Sequence, residues 1–215
     1  MKIKILICTF FLALIYSCSG QNNSVDKIGE EGVQLFSDGR TEEALLRFEK
    51  VIELDNQNSE AYMRKGDCLD LLGDFNGSIE SYSKAIKLNP NNKVAIYNRA
   101  LTFEKVNNLD NAILDYIKAI GSDPQNKSEL NNKLIYHNLG ILYGQKEELN
   151  NSIDAFTQAI GIDKDYADAY HNRGYAHYLK KEYKEAIENY DSALKIEPDN
   201  MFYKASKNVS KAMLE

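Results

Sequence analysis

Tryptophan is absent from this chain, and proline occurs three times in 215 residues. So little proline leaves long stretches in which nothing interrupts a helix, and the many Leu, Ile, Ala, Lys and Glu residues suit helices. The three cysteines, at positions 8, 18 and 68, build no disulfide framework. Cys68 reads as a small apolar residue at a helix interface. Basic residues are outnumbered, 26 against 32 acidic ones, giving a formal net charge of −6. An acidic surface opposes nucleic-acid binding, which relies on Lys and Arg displacing counterions. The apolar run from Ile5 to Tyr16, broken only by Thr9, is shorter than the roughly 20 residues a bilayer span needs. A Gly-rich phosphate loop, a nucleophile elbow and a His-Glu-x-x-His motif are all missing, so no catalytic residue and no cofactor is expected. No Gly/Ser linker or low-complexity stretch divides residues 25–215, which are expected to form one domain.

What the chain does have is a period. Gly32, Gly66, Ala100, Gly140 and Gly174 recur in steps of 34, with one step six residues longer. Ala44, Ser78, Ala112, Ser152 and Ala186 keep the same register. A fixed period of this length marks a stacked repeat architecture. Within residues 59–92, Tyr62, Lys65, Gly66 and Leu69 lie at helical spacing, as do Phe75, Ile79, Tyr82, Ala85, Ile86 and Leu88. Gly73-Asp74 between the two halves supports a tight turn, and Pro90 ends the second helix. Each unit is therefore an antiparallel helix pair.

These features resemble the tetratricopeptide repeat (TPR) family, whose 34-residue helix–turn–helix units carry small residues at positions 8, 20 and 27. Five copies align, at 25–58, 59–92, 93–126, 133–166 and 167–200. Position 24, an aromatic in the family, is Phe48, Tyr82, Tyr116, Phe156 and Tyr190. Position 27 is Val51, Ala85, Ala119, Ala159 and Ala193. The resemblance implies an all-α fold, a right-handed α-solenoid of five repeats. Residues 201–215 begin a sixth unit and stop, which reads as a C-terminal capping helix. Its apolar stripe, Phe202, Ala205, Val209, Ala212 and Met213, is expected to cover the last repeat, with Lys204, Lys207, Lys211 and Glu215 turned to water. The six extra residues, 127–132, read as an early start of the next helix at Ser128-Glu129; the alternative is a longer loop.

In the family the first helices line a concave groove with positions 2, 5, 6, 9, 12 and 13. Carried onto this chain, the groove takes Met63, Asp67, Tyr97, Asn98, Leu101, His137, Asn138, Ile141, His171, Asn172, Tyr175 and Tyr178, acidic in its first half and aromatic toward its end. Position 6 is Asn98, Asn138 and Asn172 in three successive repeats, which resembles the asparagine ladder of the O-linked sugar transferase, where amides pair with a peptide backbone. The alternative is that asparagine is simply frequent at that position. The carboxylate clamp of chaperone-binding repeats needs lysine at position 5, which this chain lacks. His137 and His171 are expected about 10 Å apart, one repeat spacing, too far to share a zinc ion bound at 2.0–2.1 Å. No metal is expected.

Lys2 and Lys4 before the apolar run, and small residues after it, read as a secretory signal over residues 1–17. Cys18 directly after the run resembles the acylated cysteine of bacterial lipoproteins, though Tyr16 departs from that family's pattern. The resemblance implies lipidation at Cys18, a short tether over 18–24, and residence in the cell envelope at the outer membrane. Loss of Lys2 and Lys4 with the signal takes the net charge from −6 to −8. Cleavage after Gly20 is the alternative and gives a secreted or periplasmic protein. The function implied is a non-enzymatic scaffold, anchored to the membrane by lipid, that binds a protein or peptide in its groove. The alternative is an architectural subunit or assembly factor of an envelope complex, docking by its edges or convex face. The sequence does not fix the oligomeric state.

Overall fold

The computed structural model describes residues 24–123, 125 and 130–215. Cys18 and the signal segment lie outside the described residues, as do Lys127, Ser128 and Glu129 of the insertion. Every described element is a helix, as the sequence implies, and the described residues fall into two compact units, one up to Val106 and one from Asn107 to Glu215. The first holds α1 (residues 24–37), α2 (Thr41–Leu54), α3 (Ser59–Leu71), α4 (Phe75–Leu88) and α5 (Lys93–Lys105). The second holds α6 (Leu109–Ser122), α7 (Asn132–Gln145), α8 (Leu149–Ile162), α9 (Ala167–Leu179), α10 (Tyr183–Ile196) and α11 (Met201–Ala212). Among the described residues no helix is long and apolar enough to cross a membrane.

The repeat fixes local geometry residue by residue. Position 15, in the turn between the two helices of a unit, adopts a left-handed conformation in all five copies: Gly39 (φ 77°), Gly73 (83°), Asn107 (55°), Glu147 (59°) and Lys181 (64°). Glycine takes this conformation freely, whereas Glu147 and Lys181 carry steric strain there. Asparagine at position 34 caps the following first helix: Asn58 accepts from the Ala61 N–H, and Asn92 from the Ala95 N–H, whereas Tyr166 at the same position makes no side-chain cap. α4 stops at Leu88, two residues before Pro90. α7 begins at Asn132, with the Asn131 side chain accepting from the Lys133 N–H, so the insertion does not extend that helix back to Ser128.

Packing explains the small residues. The glycine at position 8 sits beneath the aromatic ring at position 24 of the same unit. A Cβ on Gly66 would stand 2.6 Å from the Tyr82 ring, and one on Gly140 would stand 2.7 Å from Phe156. Position 20 adds a hydrogen bond in one copy, where Ser152 Oγ donates to the Gly140 carbonyl at 2.7 Å. Between units, position 27 meets position 3 of the next copy: Val51 clusters with Ala61, Ala159 with Ala169, and Ala193 with Tyr203. From the second copy onward position 10 is buried, at Cys68, Thr102, Leu142, Ala176 and Ser210, whereas Gln34 in the first copy is exposed. Cys68 is wholly buried beside Ala44 and Phe48, and burial pushes its thiol up to about 12. Each fully buried large side chain in these layers contributes about 1.5–3 kcal/mol.

The same register corrects the expectation for the terminal helix. α11 buries Tyr203 and Ser210, positions 3 and 10 of the interrupted sixth copy. The stripe expected to cover the last repeat faces outward: Phe202 is 66% exposed and Val209 51%. Amphipathic spacing shows that a helix has an apolar stripe; the repeat register decides which way that stripe points. On the side where a second helix would pack, position 8 is the exposed Asn208 instead of a small residue.

Candidate functional site

In the first unit the groove positions come from α3 and α5, which touch one another. Asp67 accepts hydrogen bonds from Tyr82 Oη at 2.7 Å and from Asn98 Nδ2 at 2.9 Å, with Arg64 Nη1 at 3.7 Å. Desolvation dominates and raises the Asp67 carboxyl above its ordinary range, against those three stabilising partners. One turn on, Asp70 accepts from Thr102 Oγ1 at 3.0 Å and from Lys105 Nζ at 2.5 Å. The acidity expected here is present, and much of it is spent in tying α3 to α5. Met63 is only 4% exposed, under the Asn92 side chain, whose amide meets its sulfur at 3.5 Å. Tyr97, Asn98 and Leu101 are half-buried. Along the outer end of this unit, Asp26, Glu30 and Glu60 ring an open pocket of about 400 Å³ floored by Val33 and Val51.

The second unit differs in chemistry. Its groove positions lie on α7, α9 and α11, and Asp168 is the only charged residue among them. The Asp168 carboxylate accepts from Tyr203 Oη at 2.6 Å. Ile141, Tyr175, Leu179, Phe202, Val209 and Met213 are all exposed here. An apolar groove of about 350 Å³ lies between α7, α8 and α9, with Gly144 at its base and Tyr175 and Leu179 on its wall. Gly144 has no side chain, and a Cβ there would meet only Ser152 Oγ, at 3.5 Å. A second apolar groove, of about 210 Å³, lies among Tyr175, Tyr178, Phe202 and Val209. Tyr175 belongs to both, 51% exposed and stacked on Tyr178 with centroids 6.3 Å apart.

Sequence reasoning put His137 and His171 on this surface. The structure places His171 beneath α11, 6% exposed and stacked on the Tyr203 ring at 4.9 Å. Burial pulls both imidazoles below their ordinary value. The neutral His171 ring donates from Nδ1 to Asn172 Oδ1 at 3.2 Å and accepts at Nε2 from Ser206 Oγ at 3.0 Å. Asn172 Nδ2 in turn donates to His137 Nε2 at 3.0 Å. Asn138 Nδ2 donates to Tyr116 Oη at 3.2 Å. The three asparagines of position 6 therefore stitch one copy to another element. No spacing rule points to these partners, which lie up to 35 residues away. Among the described residues no group of three or more His, Cys, Asp or Glu is placed to hold a metal ion.

The family model described as tetratricopeptide repeat matches residues 59–92 and 167–200, and a second of the same description matches 94–126. A TPR-repeat model matches 142–181, and together these cover more than half of the chain. Among solved structures, the chain is similar to YrrB, a TPR protein with an unusual peptide-binding site, at 22% identity over 84% of this chain and 90% of that one, with a TM-score of 0.72. MamA from Desulfovibrio magneticus RS-1 superposes with a TM-score of 0.72 at 21% identity, over 82% and 96% of the two chains. PilF of Pseudomonas aeruginosa gives 0.69 at 15% identity over 91% and 92%. At these identities the likeness is one of fold. Among curated protein sequences none matches.

Proposed function

This chain belongs to the tetratricopeptide repeat family, and we propose that it is a lipid-anchored, non-enzymatic scaffold whose groove holds a segment of another envelope protein. The family's repeats are protein-interaction modules, and YrrB carries a peptide-binding site on the same fold. The observation that supports a working groove most directly is Tyr175. It is a half-exposed aromatic shared by two apolar grooves, on a face that a monomer gains nothing by leaving bare. Aromatic anchors of this kind carry much of the energy of protein interfaces. The anchor reading rests on Cys18 and the apolar run before it. Two or three acyl chains hold a protein stably to a bilayer, at about 0.8 kcal/mol per buried CH₂. The test is a photo-crosslinking residue at position 175 in living cells, with adducts identified by mass spectrometry. One recurrent partner is the expected result; an absence of adducts there, with adducts from a probe in the 127–132 segment, sinks the groove reading.

A second reading has an observation of its own. Leu114 and Ile117 of α6 are 63% and 48% exposed, one turn apart on a second helix of a repeat. That favours an architectural subunit docked through the outer helices, and a probe at Leu114 distinguishes it.

A further inference from the structure

We propose that the groove of the second unit takes the apolar face of an amphipathic helix from a partner protein, not an extended peptide. This rests on the groove reading above and names the chemistry of the occupant.

Two observations carry it. The first is where the polar groups point. An extended peptide buried in a groove needs partners for its own N–H and C=O groups, and each one left unpaired costs about 1–3 kcal/mol. The row of asparagines that would serve already spends part of its capacity on neighbours within the fold, at least one amide hydrogen of each. Asn172 uses Nδ2 on His137 and Oδ1 on His171, and Asn138 uses Nδ2 on Tyr116. Ser206, at the same position of α11, places its one hydroxyl hydrogen on His171 Nε2. A helix satisfies its own backbone internally and asks a groove only for apolar contact.

The second is charge. Asp168 is the only ionic residue among the groove positions of α7, α9 and α11, and its carboxylate already accepts from Tyr203 Oη. A charged ligand side chain buried there would lose its water and find no partner. The occupant's contacting face is therefore uncharged, matching the surface it meets. Its spacing follows from the fold. The two apolar grooves flank Tyr175 on α9, so their centres stand about one interhelical distance apart, about 8–10 Å. At 1.5 Å rise per residue the upper end of that range is nearly two helical turns, and side chains return to the same face at i and i+7, which places the anchors there with a smaller apolar residue over Tyr175 between them.

The test is a selection from two displayed peptide libraries against the full chain. One library presents a helix randomised along one face. The other carries prolines at alternating positions, which forbid a helix. Binders are counter-selected on Tyr175→Asp and Val209→Asp, both at half-exposed positions, with circular dichroism confirming that the variants fold. The expected result is enrichment from the helical library, with uncharged apolar residues at i and i+7, and at least tenfold weaker binding to either variant. Enrichment from the proline library, or of charged anchors, overturns the helical occupant while keeping the groove. Binders indifferent to both variants, or none from either library, overturn the groove reading with it. Sedimentation of the wild-type chain adds one more outcome: a concentration-dependent dimer lost in Val209→Asp makes a second copy the occupant and overturns the proposal.

Discussion

Asn172 donates its amide hydrogen to His137, 3.0 Å away on the preceding repeat, and so closes a chain of polar contacts that runs on through His171 to Ser206 of α11. That chain requires neutral imidazoles, which gives the second unit a dependence on pH.

Burial lowers the proton affinity of His137 and His171 in the folded protein, whereas the unfolded chain takes up protons near pH 6.5. Because the unfolded state binds more protons, stability rises with pH through this range. The contribution is complete above about pH 6.5 and is lost as the pH falls below it. Urea melts at pH 7.5 and 5.5 should show lower stability at the acidic value. The drop should shrink in a His137→Gln/His171→Gln double variant; an equal drop in both proteins would remove the histidines from the account.

The glycines separate into two kinds. Gly140→Ala drives a Cβ to 2.7 Å from the Phe156 ring and should cost about 1–3 kcal/mol. Gly121→Ala meets nothing within 4 Å and should stabilise α6 by about 0.5–1 kcal/mol. Denaturation midpoints of the two variants that move in the same direction would contradict the packing described.

Lys181→Gly and Glu147→Gly relieve a left-handed residue in the turn of their repeats. The gain is reduced by the greater freedom of glycine in the unfolded chain, leaving up to about 1 kcal/mol each. A fall in the denaturation midpoint would show that these side chains hold contacts outweighing their strain.

Tyr203→Phe removes the 2.6 Å hydrogen bond to Asp168 and leaves the ring in place. A bond to a charged acceptor is worth about 1.5–3 kcal/mol. Hydrogen exchange in α11 should accelerate while α7 and α8 keep their protection. Uniform acceleration would mean that the terminal helix does not open independently.

Cys18→Ala tests the anchor. The variant should leave the membrane fraction for the soluble one; a protein that still sediments fully with membranes is held there by something other than acylation.

The fold was readable because each repeat writes its constraints into side-chain size. Glycine at position 8 and an aromatic at position 24 are visible in sequence, and they meet in space at Gly66–Tyr82 and Gly140–Phe156. The left-handed turn was visible at Gly73 and hidden at Glu147 and Lys181, where nothing about residue type announces it. The groove was legible as positions, less so as surface. His171 and Met63 occupy groove positions and are buried, because the neighbouring repeat leans over them. The asparagines carry the right chemistry for a peptide backbone, but their hydrogen bonds depend on rotamers and neighbours that no spacing rule supplies.

Asn208 has a consequence for the length of the array. Every complete copy puts glycine or alanine at that position, so that a second helix can close over it. The exposed Asn208 of α11 does not offer that seat. Appending another helix to this chain, by gene duplication or by design, would trap that amide under an aromatic ring. Asn208→Gly is thus the change that a second helix packed over α11 would require first.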